Sequence, residues 1–149
     1  MEQIALAVHI AFLALWVGGV FMNRFVVWPT LQRTYAQHKF PLEFLVAQGR
    51  IIAPMIYTCI AMVFASGLAL LLLRPPTTAI AWGLLAAKTV ALLVMAGNVL
   101  YGTLVTWPKL QFSTPEETWA LWHGYGIRAY TTFVCGIAAI LMGAFLRPS

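Results

Sequence analysis

The stretch AVHIAFLALWVGGVF, residues 7–21, carries one ionisable side chain, His9, in an otherwise apolar run. Extended to about Ile4–Trp28, it is long enough to cross a hydrocarbon core, which takes roughly 20 apolar residues as a helix. Three further runs, about Ile51–Leu73, Ala81–Thr106 and Ala129–Leu146, meet the same criterion. Together they take up most of the 149 residues and leave no room for a soluble domain. The composition agrees: 62% of residues are hydrophobic, 9% are charged and the mean hydropathy is +0.86, beyond an ordinary soluble domain. The expected fold is therefore all-α, an integral membrane four-helix bundle forming a single transmembrane domain over 1–149. Only Glu2 and no basic residue precedes the first run, and its apolar stretch exceeds that of a signal peptide, so it reads as a retained helix.

The net charge of +5 reads as cationic loops at one leaflet of a lipid bilayer, and no nucleic acid partner is implied. Arg24, Arg33, Lys39, Arg50, Lys109 and Arg128 flank the first and third connections, against Arg74 and Arg147 on the other side. The excess places those connections in the cytoplasm and both termini outside, which in a bacterial inner membrane is the periplasm. Trp28, Trp107, Trp119 and Trp122 fall near the inner boundary and Trp82 near the outer one, as interfacial aromatics do. Cys59 and Cys135 lie inside spans without CxxC spacing and read as packing residues.

An internal repeat answers the buried histidine. WPTLQ at 28–32 recurs as WPKLQ at 107–111, 79 residues on, and the same offset carries His9 onto Lys88, the only lysine within a span. It also pairs Trp16 with Met95, Gly19 with Asn98 and Asn23 with Gly102. More loosely, Arg50 matches Arg128, Cys59 matches Cys135 and Gly67 matches Gly143. Repeat A covers about 1–73 and repeat B about 80–149. An even number of spans separates the copies, so they run in the same direction about an axis along the membrane normal. Helical spacing puts His9, Phe12, Trp16, Gly19 and Asn23 on one stripe, with Lys88, Ala91, Met95, Asn98 and Gly102 on the other. The two stripes are expected to bracket one cavity in the outer half of the bundle.

Ionisable groups within a span are expensive and mark function by default. A neutral imidazole is the commonest transition-metal and haem ligand, and a buried lysine can ligate, accept a proton or hold a propionate. The plain alternatives are a core histidine bonded to a carbonyl one turn away and a lysine snorkelling to the interface. Met22, Met55, Met62, Met95 and Met142 are thioether candidates for Cu(I), though methionine is also common gap filler. Gly18, Gly19, Ser66, Gly67 and Gly143 permit close helix contact or leave room for a planar ligand. Arg24, Arg50 and Arg128 collect at the inner leaflet, suited to lipid phosphate or to a propionate or substrate carboxylate. His38 and His123 sit among polar neighbours and read as solvated. Pro29 and Pro108 are expected to end their helices, and Pro54 to bend the second or sit in its first turn. Ser113 or Thr114, then Pro115, Glu116 and Glu117, read as the start of a short interfacial helix carrying Trp119 and Trp122. The chain holds no phosphate loop, nucleophile triad, paired carboxylates or zinc spacing.

The segment His9-x6-Trp16-x-x-Gly19-x-Phe21, with Arg24 and Gly67, resembles the first helix pair of CopD-type copper resistance membrane proteins and HemJ-type protoporphyrinogen oxidases. LeuLeuAlaAlaLysThrValAlaLeuLeu at 84–93 looks like the third helix of both groups. The HemJ resemblance implies haem b on His9, with Lys88 also required; the CopD resemblance implies copper handling at the periplasmic side. Ala86 stands where HemJ has a histidine, and IleArgAlaTyrThrThr at 127–132 departs from its fourth helix. Length and the "WVGG" sequence are closer to small CopD-like proteins. The leading expectation is a haem b protein with a redox role, its cofactor held by His9, Lys88, Trp16, Met95, Gly19 and Asn98, with His9 on the metal and Lys88 as the catalytic candidate. The alternatives are copper binding or transport, with His9 and Met62 or Met95, and a structural subunit of a larger complex. A homodimer or partner subunits would complete the last.

Overall fold

Helix formation follows the apolar runs, whose backbone hydrogen bonds close within each segment. The structure, a computed structural model, describes residues 1–35 and 41–145. It has four long helices, α1 Glu2–Thr34, α2 Leu42–Leu73, α3 Ala79–Gln111 and α4 Pro115–Phe145, with no strand among the described residues. Each is long and apolar enough to cross a membrane. His38, Lys39 and Arg147 lie outside the described residues.

Pro29 and Pro108 do not end their helices. A proline has no N–H for the carbonyl four residues back, and its ring crowds that carbonyl. Here the turn before each Trp-Pro widens to a π-helix, over Met22–Val27 and Gly102–Thr106. Trp28 N–H then reaches the carbonyl of Asn23, and Trp107 N–H that of Gly102, in the i→i−5 pattern. The helix thus passes through each proline. Pro54 lies well inside α2, where the carbonyl of Arg50 loses its usual donor.

The start of α4 matches expectation in its cap and differs in its length. Thr114 and Glu117 form a reciprocal capping box: Thr114 N–H donates to Glu117 Oε2 at 3.0 Å, and Glu117 N–H donates to Thr114 Oγ1 at 3.3 Å. No separate interfacial helix forms, because Trp119 and Trp122 belong to one helix that runs unbroken to Phe145. Gly124 and Gly126 cost helix propensity of about 1 kcal/mol each. Packing compensates: Gly126 is buried against α1, where an added Cβ would sit 3.9 Å from Arg24 Nε.

α1 packs most extensively on α2, and α3 on α4, with α1 and α4 forming a third seam. The central core joins Leu13, Trp16, Val17 and Val20 of α1 to Cys59, Val63, Leu92, Met95 and Ala129. A second core at the Trp-Pro end gathers Trp28, Leu31, Leu45, Leu110 and Trp122. Across the α1–α4 seam Asn23 Nδ2 donates to Tyr125 Oη at 3.1 Å, and on its exposed side Phe21 and Phe25 meet Phe133 at centroid distances of 5.7 and 5.3 Å. The α2–α3 seam is thinner, with Tyr57 donating to Thr103 and the six-membered ring of Trp107 packed against Gly49.

That last contact gives a direct test of the packing. A Cβ at Gly49 would overlap the six-membered ring of Trp107, whereas Gly18 has open space around it. Gly49→Ala should destabilise by about 1–3 kcal/mol through overpacking, read as a lower unfolding temperature in detergent, while Gly18→Ala should leave that temperature unchanged or raise it. Trp107→Ala on the Gly49→Ala background should recover part of the loss.

Candidate functional site

Burying an imidazole among apolar side chains is unfavourable unless its polar atoms find partners. His9 is only 4% exposed on the inner face of α1. Its Nδ1 lies 3.0 Å from the Ser66 hydroxyl on α2. Ser66 spends its own proton on the carbonyls of Met62 and Val63, one turn back in its helix. Its oxygen is therefore left to accept, so the imidazole proton sits on Nδ1 and Nε2 carries a bare lone pair. Nε2 is buried and has no hydrogen-bond partner among the described residues. The ring is thus held from α2 by a hydroxyl rather than by a carbonyl of its own helix.

Glycine makes room for the ring. A Cβ at Gly67 would stand 3.3 Å from His9 Cε1, tighter than ordinary packing allows. On the other helix pair, a Cβ at Gly143 would stand 3.4 Å from Lys88 Nζ. The histidine of α1 on a glycine of α2 therefore has its counterpart in the lysine of α3 on a glycine of α4. Lys88 is half-buried, forms no hydrogen bond or ion pair among the described residues, and is close enough to His9 for their charges to interact. Its side chain extends from α3 toward the end of the bundle that bears the chain termini, the direction in which helical side chains tilt here.

The remaining expected site residues separate. Trp16 and Met95, 1% and 0% exposed, share the central core, and the Trp16 Nε1–H is buried without a partner among the described residues. Gly19 lies about 80° round the helix from His9; it is exposed and has no neighbour within 4 Å of a built Cβ, which puts it outside this group. Asn98 faces the Trp-Pro end, where Nδ2 donates to the Thr132 hydroxyl at 3.2 Å and the Arg128 carbonyl at 3.4 Å. Met22 and Met55 are exposed, Cys59 and Cys135 are free thiols packed on or in the core, and His123 is exposed.

A cavity of about 190 Å³ lies nearer the Trp-Pro end, lined chiefly by α2, α3 and α4, and does not include His9 or Lys88. Of the expected site residues only Asn98 borders it. Sequence reasoning did not single out Ser66 as the partner of His9, nor Tyr125 and Thr106 as polar cavity walls. Ser66 was within reach: five residues in from Ile4 gives His9, and six back from Leu73 gives Gly67, so an antiparallel hairpin brings Ser-Gly level with the histidine.

No group of three or more His, Cys, Asp and Glu side chains able to cage a metal occurs among the described residues. A haem iron asks for less, one or two axial side chains, and a fixed Nδ1–H with a free Nε2 has that donor chemistry. No family model, curated protein or solved structure matches this chain.

Proposed function

We propose that this chain is a haem b-binding integral membrane protein with a redox role, either electron transfer or an oxidase-type reaction on a small lipophilic substrate. The observation that carries the reading is His9 Nε2, a buried lone pair with no partner among the described residues, on a ring whose tautomer Ser66 sets. Leaving such an atom unpaired costs about 1–3 kcal/mol, a cost that metal ligation removes. Haem would supply a one-electron couple at its iron.

In this reading His9 would hold the iron through Nε2, and Ser66 would fix the ring and strengthen it as a donor by accepting from Nδ1–H. Gly67 keeps that face of the ring clear. Lys88 would help to hold the group, as a nitrogen donor when neutral or as the partner of a propionate when charged. The two-repeat organisation, helices α1–α2 as one copy and α3–α4 as the other in the same direction, is supported by the paired π segments and by His9 on Gly67 beside Lys88 on Gly143. Large apolar side chains on the bundle surface, such as Ile4, Leu15, Leu68, Val90 and Leu141, suit a lipid environment. Arg24, Arg33, Arg50, Lys109 and Arg128 toward the Trp-Pro end favour that end as cytoplasmic and both termini as periplasmic.

The test is the visible spectrum of chain purified in mild detergent from haem-replete cells, oxidised and then reduced with dithionite. The wild-type chain should show a Soret band that shifts on reduction, and His9→Ala should lose it. Equal haem in the two proteins overturns the assignment, as does a colourless wild-type chain that carries copper by elemental analysis. Ser66→Ala should keep the haem but weaken its binding roughly 10–100-fold and move the midpoint potential, because the Nδ1–H loses its acceptor.

A further inference from the structure

The two helix-pair seams are unequal, and the difference makes a site. In the α1–α4 seam Asn23 reaches across to the Tyr125 hydroxyl. At the position 79 residues on stands Gly102, which has no side chain, and an added Cβ there would meet nothing within 4 Å. The 190 Å³ cavity occupies this gap, with Gly102 and Gly49 in its wall. Its volume is that of about six waters at roughly 30 Å³ each. Drug-sized pockets run to about 300–1,000 Å³, so the cavity suits a head group or a single ring and is too small for a porphyrin.

The polar wall is cationic and rich in donors. Arg50 and Arg128 both line it, and no carboxylate does. Arg128 lies 4.8 Å over the Tyr101 ring and donates through one terminal nitrogen to Thr106 Oγ1 at 2.7 Å, while its Nε is buried without a partner. Neither arginine has an acidic partner among the described residues, where the one ion pair is Arg74 with Glu2 at the far end. Gln48 makes no hydrogen bond there, the Thr106 hydroxyl accepts without donating, and the Tyr125 hydroxyl accepts from Asn23, so each keeps a proton to give. The rest of the wall is apolar, with Val20, Ile52, Ile56, Val99 and Ala129. Arg128, half-buried with an unpartnered Nε and no counter-charge, faces this apolar cleft, and the exposed Arg50 stands at its rim; with the spare donors they suit an oxyanion.

We propose that this cavity binds an oxyanion carried on a small apolar body, either an aryl or short acyl carboxylate or the phosphate of an anionic lipid entering along the α2–α3 seam. The oxyanion sits on Arg128 and Arg50, and the apolar part lies against Ile56 and Val99. The site does not include His9, Lys88 or Ser66, so it stands or falls apart from the haem reading.

The experiment uses full-length chain, delipidated in neutral detergent, with two probes. Benzoate is titrated while tryptophan fluorescence is followed, since Trp107 and Trp122 line the cavity, and native mass spectrometry follows uptake of phosphatidylglycerol against phosphatidylcholine. Saturable binding of benzoate, with benzamide inert, identifies a soluble carboxylate; one phosphatidylglycerol per chain without a benzoate response identifies the lipid phosphate. Either signal should weaken at least roughly tenfold in Arg128→Gln, which removes a charge-assisted bond. It should vanish in Gly102→Leu, which fills the cavity in open space and so leaves the fold intact. Equal binding of benzoate and benzamide, equal uptake of the two lipids, or a signal untouched by both substitutions overturns the proposal.

Discussion

A proline inside a helix leaves one backbone carbonyl without its usual donor and crowds that carbonyl with its ring. This chain meets that constraint at Pro29 and at Pro108 with the same device, a π segment whose closing bond ends on the tryptophan before the proline. Because the helix survives, α1 and α3 extend to Thr34 and Gln111 and carry Trp28, Leu31, Trp107 and Leu110 into the core at that end. The wider turn also re-aims the residues within it. Asn23 and Thr106, both in π segments, are buried polar groups bonded to α4, one to Tyr125 and the other to Arg128.

From the same backbone the two seams diverge through side-chain volume. Between α1 and α4, Asn23 reaches across to Tyr125, and Phe21, Phe25, Phe133 and Tyr130 meet along the outer side of the seam. Around α2 and α3, Gly49 admits the indole of Trp107, Gly102 admits nothing, and Pro54 leaves the Arg50 carbonyl short of a donor beside the gap. The α1–α4 seam is thus tied across by side chains, while the α2–α3 seam leaves a cavity open.

At the opposite end the economy is similar and the chemistry different. Ser66 bonds backward to its own helix and forward to His9, so one hydroxyl fixes both the local turn and the tautomer of the imidazole. Gly67 next to it gives the ring its place. The depth of His9 along α1 separates it from the arginine-lined cavity: Val20, the first residue of α1 to border the cavity, is 11 residues away, about 16 Å at 1.5 Å per residue. Two chemically distinct polar centres therefore share one small bundle without sharing residues.

Much was legible before any coordinates. Four apolar runs of spanning length dictate four helices, because each helical hydrogen bond closes within a few residues and depends only on local sequence. The Ser-Thr-Pro-Glu-Glu run at 113–117 announced a capped helix start. What could not be read was the outcome of contacts between helices. Helices apolar all round present no polar stripe to say which face turns inward, so Gly19 and Asn98 shared a stripe with His9 and Lys88 on paper and not in the fold. Proline signals a missing donor, but whether the helix stops or widens depends on what the next turn can bury. Ser66 reads as one more small residue until α2 is set against α1, and Arg128 as a lipid contact until α3 brings Thr106 and Tyr101 to it. Local sequence determined the helices and their polar exceptions; the tertiary structure alone decided which exceptions meet, since that depends on helix rotation and seam volume, quantities no single segment contains.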